Sequence, residues 1–248
     1  MILPFDLGPV AAAFMVAVIL VAAFVRGYSG FGYPIMVITA GSLITNPLLL
    51  IPVAILGDMV LCAQFWRSAR AHVHWPIVGR LALGAMFGLL AGVWSLTLMT
   101  EEIARIMVSI MVLLTSLFIL SGWTIPGRAG PAATLGSGVV SGLFAPAGVA
   151  GPPAVILVTA LGLTPQVFRA TLLAYFIGLN VMTLAQFSLA GRVSLETFGV
   201  TAVSVPLVIL GGWLGAHRVS TADPAQFRRV IIVILMVMAA LGLAKELL

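Results

Sequence analysis

The sequence predicts an all-α integral membrane protein made of two inverted repeats, each a Gly/Pro-broken helical hairpin followed by three spanning helices. Three observations carry this reading. Of 248 residues, 62% are hydrophobic and only 8% charged, where soluble domains hold about 45–50% apolar and about 25% charged residues. So few charges could not cover the surface of a water-soluble globule, and disorder needs the opposite composition. The apolar runs are long and lack the two-residue alternation of barrel strands, so the spans are helical. Two of the runs are interrupted by Gly/Pro clusters at matching places, the mark of a duplicated layout.

In chain order, residues 10–45 form the first interrupted run, with Arg-Gly-Tyr-Ser-Gly-Phe-Gly-Tyr-Pro at 26–34 in its middle. Spans follow at about 48–66, 76–99 and 103–121. A linker at 126–130 leads to the second interrupted run, 131–163, which carries Ala-Pro-Ala-Gly-Val-Ala-Gly-Pro-Pro at 145–153. Spans at about 170–190, 196–216 and 228–247 complete the order. Glycine is costly inside a helix, and proline removes a donor and clashes, so both clusters break helices. Irregular backbone at membrane depth is tolerated only inside protein or beside a wet cavity. The opening MILPFDLGPV has no basic n-region and no cleavage site, and reads as the start of the mature protein.

The breaks expose an internal repeat of residues 1–125 in 131–248. Gly32-Tyr33-Pro34 matches Gly151-Pro152-Pro153 at an offset of 119. Gln64-Phe65 matches Gln186-Phe187 at 122, which sets Asp58 opposite Asn180. Gly88, Gly92 and Arg105 match Gly211, Gly215 and Arg228 at 123.

Charge placement sets the orientation. With each interrupted run folded as a hairpin that enters and leaves on one side, one face collects Arg67, Arg70, Arg80, Arg128, Arg169, Arg218, Arg228 and Arg229 against Asp223 alone. The other face holds Arg105, Arg192 and Lys245 against Asp6, Glu101, Glu102, Glu196 and Glu246. Eight cations against three put the first face in the cytoplasm. The halves are then inverted, with both termini outside a multi-pass cytoplasmic-membrane protein. Eleven of the twelve cations are arginines scattered between apolar stretches, which suits contact with a lipid bilayer and argues against nucleic acid as a partner.

Inverted halves with paired broken helices place a substrate near the bilayer midplane. Helix N-termini freed at a break offer unpaired N–H groups and partial positive charge to an anion. Pro34 and Pro153 suit the first turn of such restarted helices. The candidate substrate-binding residues are therefore Arg26, Gly27, Tyr28, Ser29, Gly30, Phe31 and Gly32 in the first break, and Gly148, Val149, Ala150 and Gly151 in the second. Ser29 adds a hydroxyl donor. The plainer alternative is that these glycines and prolines merely allow close packing or a kink. Arg26 either grips an oxyanion with its planar guanidinium or snorkels to the headgroups, and Arg169 raises the same choice.

Asp58 sits mid-span, where a charge costs about 2.5–3.5 kcal/mol on insertion scales. Desolvation at that depth favours a neutral carboxyl unless a cation lies near, so Asp58 is the candidate for proton coupling. Its alternative role is a hydrogen bond across helices with Asn180. Gln64 and Gln186 read as packing contacts. Arg67, Arg70, His72 and His74 form a basic loop that reads as orientation and lipid contact, with a substrate funnel as the alternative, and with neither Cys nor carboxylate beside them the two histidines are poor evidence for a metal site. Trp66, Trp75 and Trp123 flank spans as an interfacial belt. A single cysteine, Cys62, excludes a disulfide framework within one chain. No nucleophile–base pair, phosphate loop or metal cluster stands out, so neither an enzyme nor a cofactor or metal is expected. GYSGFG follows an apolar helix rather than the strand of a dinucleotide fingerprint.

The first break, GYSGFGYP, resembles the glycine-rich signature of the TauE/SafE family of sulfite and organosulfonate exporters. The stretch SGLFAPAGVAGPPAVILVTALGL at 141–163 resembles that family's second Ser-Gly and Gly-Gly-Pro pattern, with Ala145, Pro146 and Ala147 where more glycines are usual. The resemblance covers essentially the whole chain. It implies a secondary transporter that exports a small anionic substrate, sulfite or a short organosulfonate, by alternating access with proton coupling left open. An anion channel and a non-transporting structural subunit are the alternatives. The identity of the anion, the coupling ion and a homodimeric assembly stay open.

Overall fold

The structure is a computed structural model, and it describes residues 8–121 and 130–217 together with positions 233, 236, 237, 240 and 244. Helices account for its regular elements: α1 (Pro9–Ser29), α2 (Tyr33–Gly41), α3 (Pro47–Ala69), α4 (Trp75–Thr97), α5 (Glu101–Leu120), α6 (Pro131–Phe144), α7 (Gly151–Ala160), α8 (Pro165–Leu189) and α9 (Leu195–His217). Short 3₁₀ turns at Arg70–His72 and Ala145–Ala147 extend α3 and α6. The expected last span, 228–247, lies almost wholly outside the described residues. So do linker residues 126–129 and, of the residues singled out above, Asp6, Trp123, Arg128, Arg218, Asp223, Arg228, Arg229, Lys245 and Glu246.

Helix starts follow from proline. Pro9, Pro34, Pro47, Pro76, Pro131, Pro152 and Pro165 each stand in a first turn, where a missing N–H costs nothing. Asn46 also caps α3, accepting from the Leu48 N–H at 2.8 Å. Five helices, α1, α3, α4, α8 and α9, are long and apolar enough to cross a membrane. The 21 residues of α1 run about 30 Å, whereas α2 and α7, with 9 and 10 residues, reach only about half that.

Both short helices double back along the helix before them. A Cβ on Gly32 would touch Val25 and one on Gly41 would touch Met15, so α2 retraces α1. In the second run the Ser141 hydroxyl donates to the Ala150 carbonyl at 2.7 Å and that of Ser137 to Pro153 at 2.8 Å, which lays α7 back along α6.

Glycine-lined seams join the parts. On α4, Gly84, Gly88 and Gly92 press against the backbone of α6 at Leu135, Val139 and Leu143. On α9, Gly211 and Gly215 meet the backbone of α1 at Leu20 and Phe24, and Gly27 meets the Gly212 carbonyl. Any side chain there would overlap a neighbouring main chain, and small residues are what let membrane helices approach this closely. Between the seams, α3 and α8 pack together at the centre, with α3 against α9 and α8 against α4. Gln64 reaches across to α9, donating to the Ile209 carbonyl at 3.2 Å. At the acidic end, Arg105 bonds both Glu101, at 2.8 Å, and the Ser42 carbonyl, which ties α5 to the exit of the first hairpin.

Candidate functional site

The two breaks meet. Left-handed residues end α1 and precede α2, with Gly30 at φ 86° and Gly32 at φ 104°. Gly148 plays the same part in the second break at φ 76°. A Cβ on Gly148 would come within 2.9 Å of Pro34 and Ile35, so the second break lies directly on the start of α2. Phe31 in turn lies over Gly151 at the start of α7. Only glycine meets both demands at 148, a positive φ and a backbone neighbour.

Beside this junction is a cavity of about 440 Å³. Its walls come from α1, the two breaks, α3, α5 and α8, and they include Arg26, Asp58, Arg169 and Asn180 among mainly apolar side chains such as Phe31, Phe168, Phe176, Ile55 and Leu179. The polar cluster is specific. Arg26 donates from Nε to Asp58 Oδ1 at 2.6 Å and from Nη2 to Oδ2 at 3.4 Å. Asn180 donates to Asp58 Oδ2 at 2.7 Å, and the Cys62 sulfur lies 3.3 Å from Arg26 Nη2. The guanidinium sits over the Phe176 ring, 5.3 Å from its centroid. Arg26 and Asp58 are each only 3% exposed, so this pair is held in a low-dielectric setting and largely cancels its own charge.

Arg169 differs. Its Nη2 donates to the carbonyls of Gly27 and Tyr28, at 3.1 and 3.0 Å, at the C-terminal end of α1. Among the described residues no carboxylate pairs with it. Of the charges lining the cavity, Arg26 and Asp58 offset each other and Arg169 is left over.

The structure thus brings Arg26, Tyr28, Ser29, Phe31, Gly32, Asp58, Gly148, Ala150 and Gly151 to one cavity. Gly27 and Gly30 face a smaller neighbouring cavity instead, and Val149 is fully buried away from both. Three expectations change in detail. Arg26 is buried within the protein and paired with Asp58 rather than extended from its surface. The Ser29 hydroxyl is occupied at the end of its own helix, by the carbonyls of Val25 at 2.8 Å and Phe31 at 2.7 Å. The two helix starts border the cavity, but Phe31 and Gly148 fill the space directly between them.

Sequence reasoning passed over Phe168, Phe176, Thr183 and, on α5, Thr115 and Ser116, all of which line the cavity. A signal existed for α8: Arg169, Phe176, Asn180 and Thr183 recur at spacings of seven, four and three, which is one helix face. No comparable pattern marks the α5 pair.

A family model described as sulfite exporter TauE/SafE matches residues 15–241, nearly the whole chain. No curated protein and no solved structure shows a match. Members of the family are membrane transporters rather than enzymes, and the all-helical fold with its long apolar helices agrees. The chain belongs to the TauE/SafE sulfite exporter family of multi-pass membrane transporters.

Proposed function

We propose that this transporter exports a small oxyanion by alternating access, with the anion held in the central cavity by Arg169. The observation that carries the reading is the charge inventory of that cavity: a self-neutralised Arg26–Asp58 pair beside a guanidinium that, among the described residues, bonds only backbone carbonyls. A buried anion needs a cation or many donors, and Arg169 supplies both a charge and a fork-shaped set of N–H groups. The partial positive charge at the starts of α2 and α7, which border the same space, adds to the attraction. A volume of about 440 Å³ lies within the usual range for small ligands, and its apolar walls suit the carbon chain of a short organosulfonate as well as bare sulfite.

Alternating access would follow from an inverted duplication, which three features support. The α1–α9 seam repeats as the α6–α4 seam: Gly211 and Gly215 are Gly88 and Gly92 shifted by 123, and their contacts Leu20 and Phe24 become Val139 and Leu143 on shifting by 119. Asp58 and Asn180 hold equivalent places in the two halves and touch, as positions beside a two-fold axis do. Arg67, Arg70 and Arg80 collect at the end of the molecule where α8 begins, opposite Glu101, Glu102 and Glu196. We assign the basic end to the cytoplasm. Proton coupling is assigned to Asp58: a proton on its carboxyl would release Arg26 to join Arg169 on the anion.

The test is a binding screen of purified protein against sulfite, methanesulfonate, a short carboxylate, and neutral and cationic amines, read by thermal unfolding. Stabilisation grows as RT ln(1 + [L]/Kd), about 1.4 kcal/mol at tenfold Kd. Stabilisation by anions that is lost in Arg169→Gln supports the assignment. A response confined to neutral or cationic solutes refutes it.

A further inference from the structure

A second cavity, of about 250 Å³, lies against the central one on the basic side of the molecule. Arg26 and Arg169 line both. The outer walls of the smaller cavity carry Ser68 near the end of α3, His72 in the 3₁₀ turn and Gln166 in the first turn of α8. The imidazole and the amide on these walls can each donate to an oxyanion, while the Ser68 hydroxyl donates to the Phe65 carbonyl of its own helix at 2.9 Å.

Arg169 can serve both spaces. Only its Nη2 is engaged, and the Nε–H and Nη1 groups have no hydrogen-bond partner among the described residues. The Nε edge points toward Gly30, where a Cβ would lie 3.9 Å away. Because Gly30 has no side chain, the first break leaves this edge open to the smaller cavity. Hydrogen bonds to a charged oxyanion are roughly twice as strong as those to neutral carbonyls, so an anion can bind the free edge while Nη2 still holds the end of α1.

We infer that the smaller cavity is an outer anion-binding station that loads and unloads the central cavity by passing a small oxyanion along Arg169. This rests on the anion reading above. An unpaired anion is expensive to move through a low-dielectric interior, and one cation bordering both spaces spares it a step without a partner. A volume of about 250 Å³ accommodates sulfite, whose bulk is on the order of two to three waters at about 30 Å³ each.

The experiment fills the outer station and leaves the central one untouched. Wild type and Ser68→Leu/Gln166→Leu are compared for sulfite flux in proteoliposomes and for equilibrium sulfite affinity by thermal unfolding. An obstacle on the path slows passage in both directions without altering the end state. The double variant should therefore lose about tenfold in flux while its central affinity stays within twofold. Ser68→Asp at the same exposed position should also slow flux, and added salt should relieve that effect because screening weakens the repulsion. Undiminished flux in both variants overturns the inference while leaving the anion reading standing, as does a fall in affinity parallel to the fall in flux. Absence of any anion binding to wild type overturns the anion reading itself.

Discussion

Asp58→Asn isolates one charge at the centre of the fold. The carboxylate takes a 2.6 Å bond from Arg26 and a 2.7 Å bond from Asn180, and both side chains of the ion pair are 3–4% exposed. An asparagine at 58 keeps the size and one oxygen for Asn180 but leaves the guanidinium without a counter-charge. Breaking a buried pair in this way costs about 3–5 kcal/mol. The Phe176 face under Arg26 is present in both proteins and cancels from the difference, so a loss of at least about 3 kcal/mol is expected, roughly a 150-fold shift in the folding equilibrium. Arg26→Gln should cost a similar amount by stranding the carboxylate. The double variant strands neither charge, and its loss should fall short of the sum by about 2–3 kcal/mol. Reversible unfolding in mixed micelles with increasing SDS, followed by far-UV circular dichroism, gives all four corners of the cycle. Additive losses would refute the claim that these residues are stable only as a pair.

Further predictions concern the seams, the second hairpin and coupling. Gly88→Leu and Gly215→Leu, whose side chains would overlap the α6 and α1 backbones, should each abolish recovery of monodisperse protein, while Gly199→Ala, with nothing within 4 Å, should leave size-exclusion profiles unchanged. Tyr175→Phe removes a 2.7 Å bond from the tyrosine hydroxyl to Ser141 and should lower stability by about 0.5–1.5 kcal/mol in the same SDS titration. Ser141 keeps its bond to Ala150 in that variant, so anion affinity should hold. If Asp58 carries the coupling proton, sulfite flux in Asp58→Asn should lose its pH dependence while anion binding persists; an unchanged pH profile removes Asp58 from coupling.

Much of this site could be read from residue order because its cues are local. A proline fits the first turn of a helix wherever the chain runs, so Pro34 and Pro153 marked the restarts that became α2 and α7. The Gly/Pro clusters likewise announced where α1 and α6 would break. The Asp58–Asn180 contact was legible for a different reason: the internal offset set the two residues opposite each other. What residue order did not reveal is how polar groups share partners. Arg26 and Arg169 both flank the breaks, and their ranking depends on which one meets a carboxylate 32 positions away in α3. The Ser29 hydroxyl looked available until the turn of α1 placed it on the Val25 carbonyl. Thr115 and Ser116 on α5 are ordinary hydroxyl residues in an apolar helix, and only packing brings them to the cavity.

The central claim is that a small anion crosses through the cavity that Arg169 serves. Counterflow of labelled sulfite in proteoliposomes measures this most directly, because a preloaded unlabelled anion drives label accumulation only if both compete for one carrier site. Wild type preloaded with sulfite or methanesulfonate should show transient accumulation that saturates with sulfite concentration, and Arg169→Gln, purified in folded form, should show none. Accumulation undiminished in Arg169→Gln, or label that merely equilibrates in wild type without overshoot, would contradict the account.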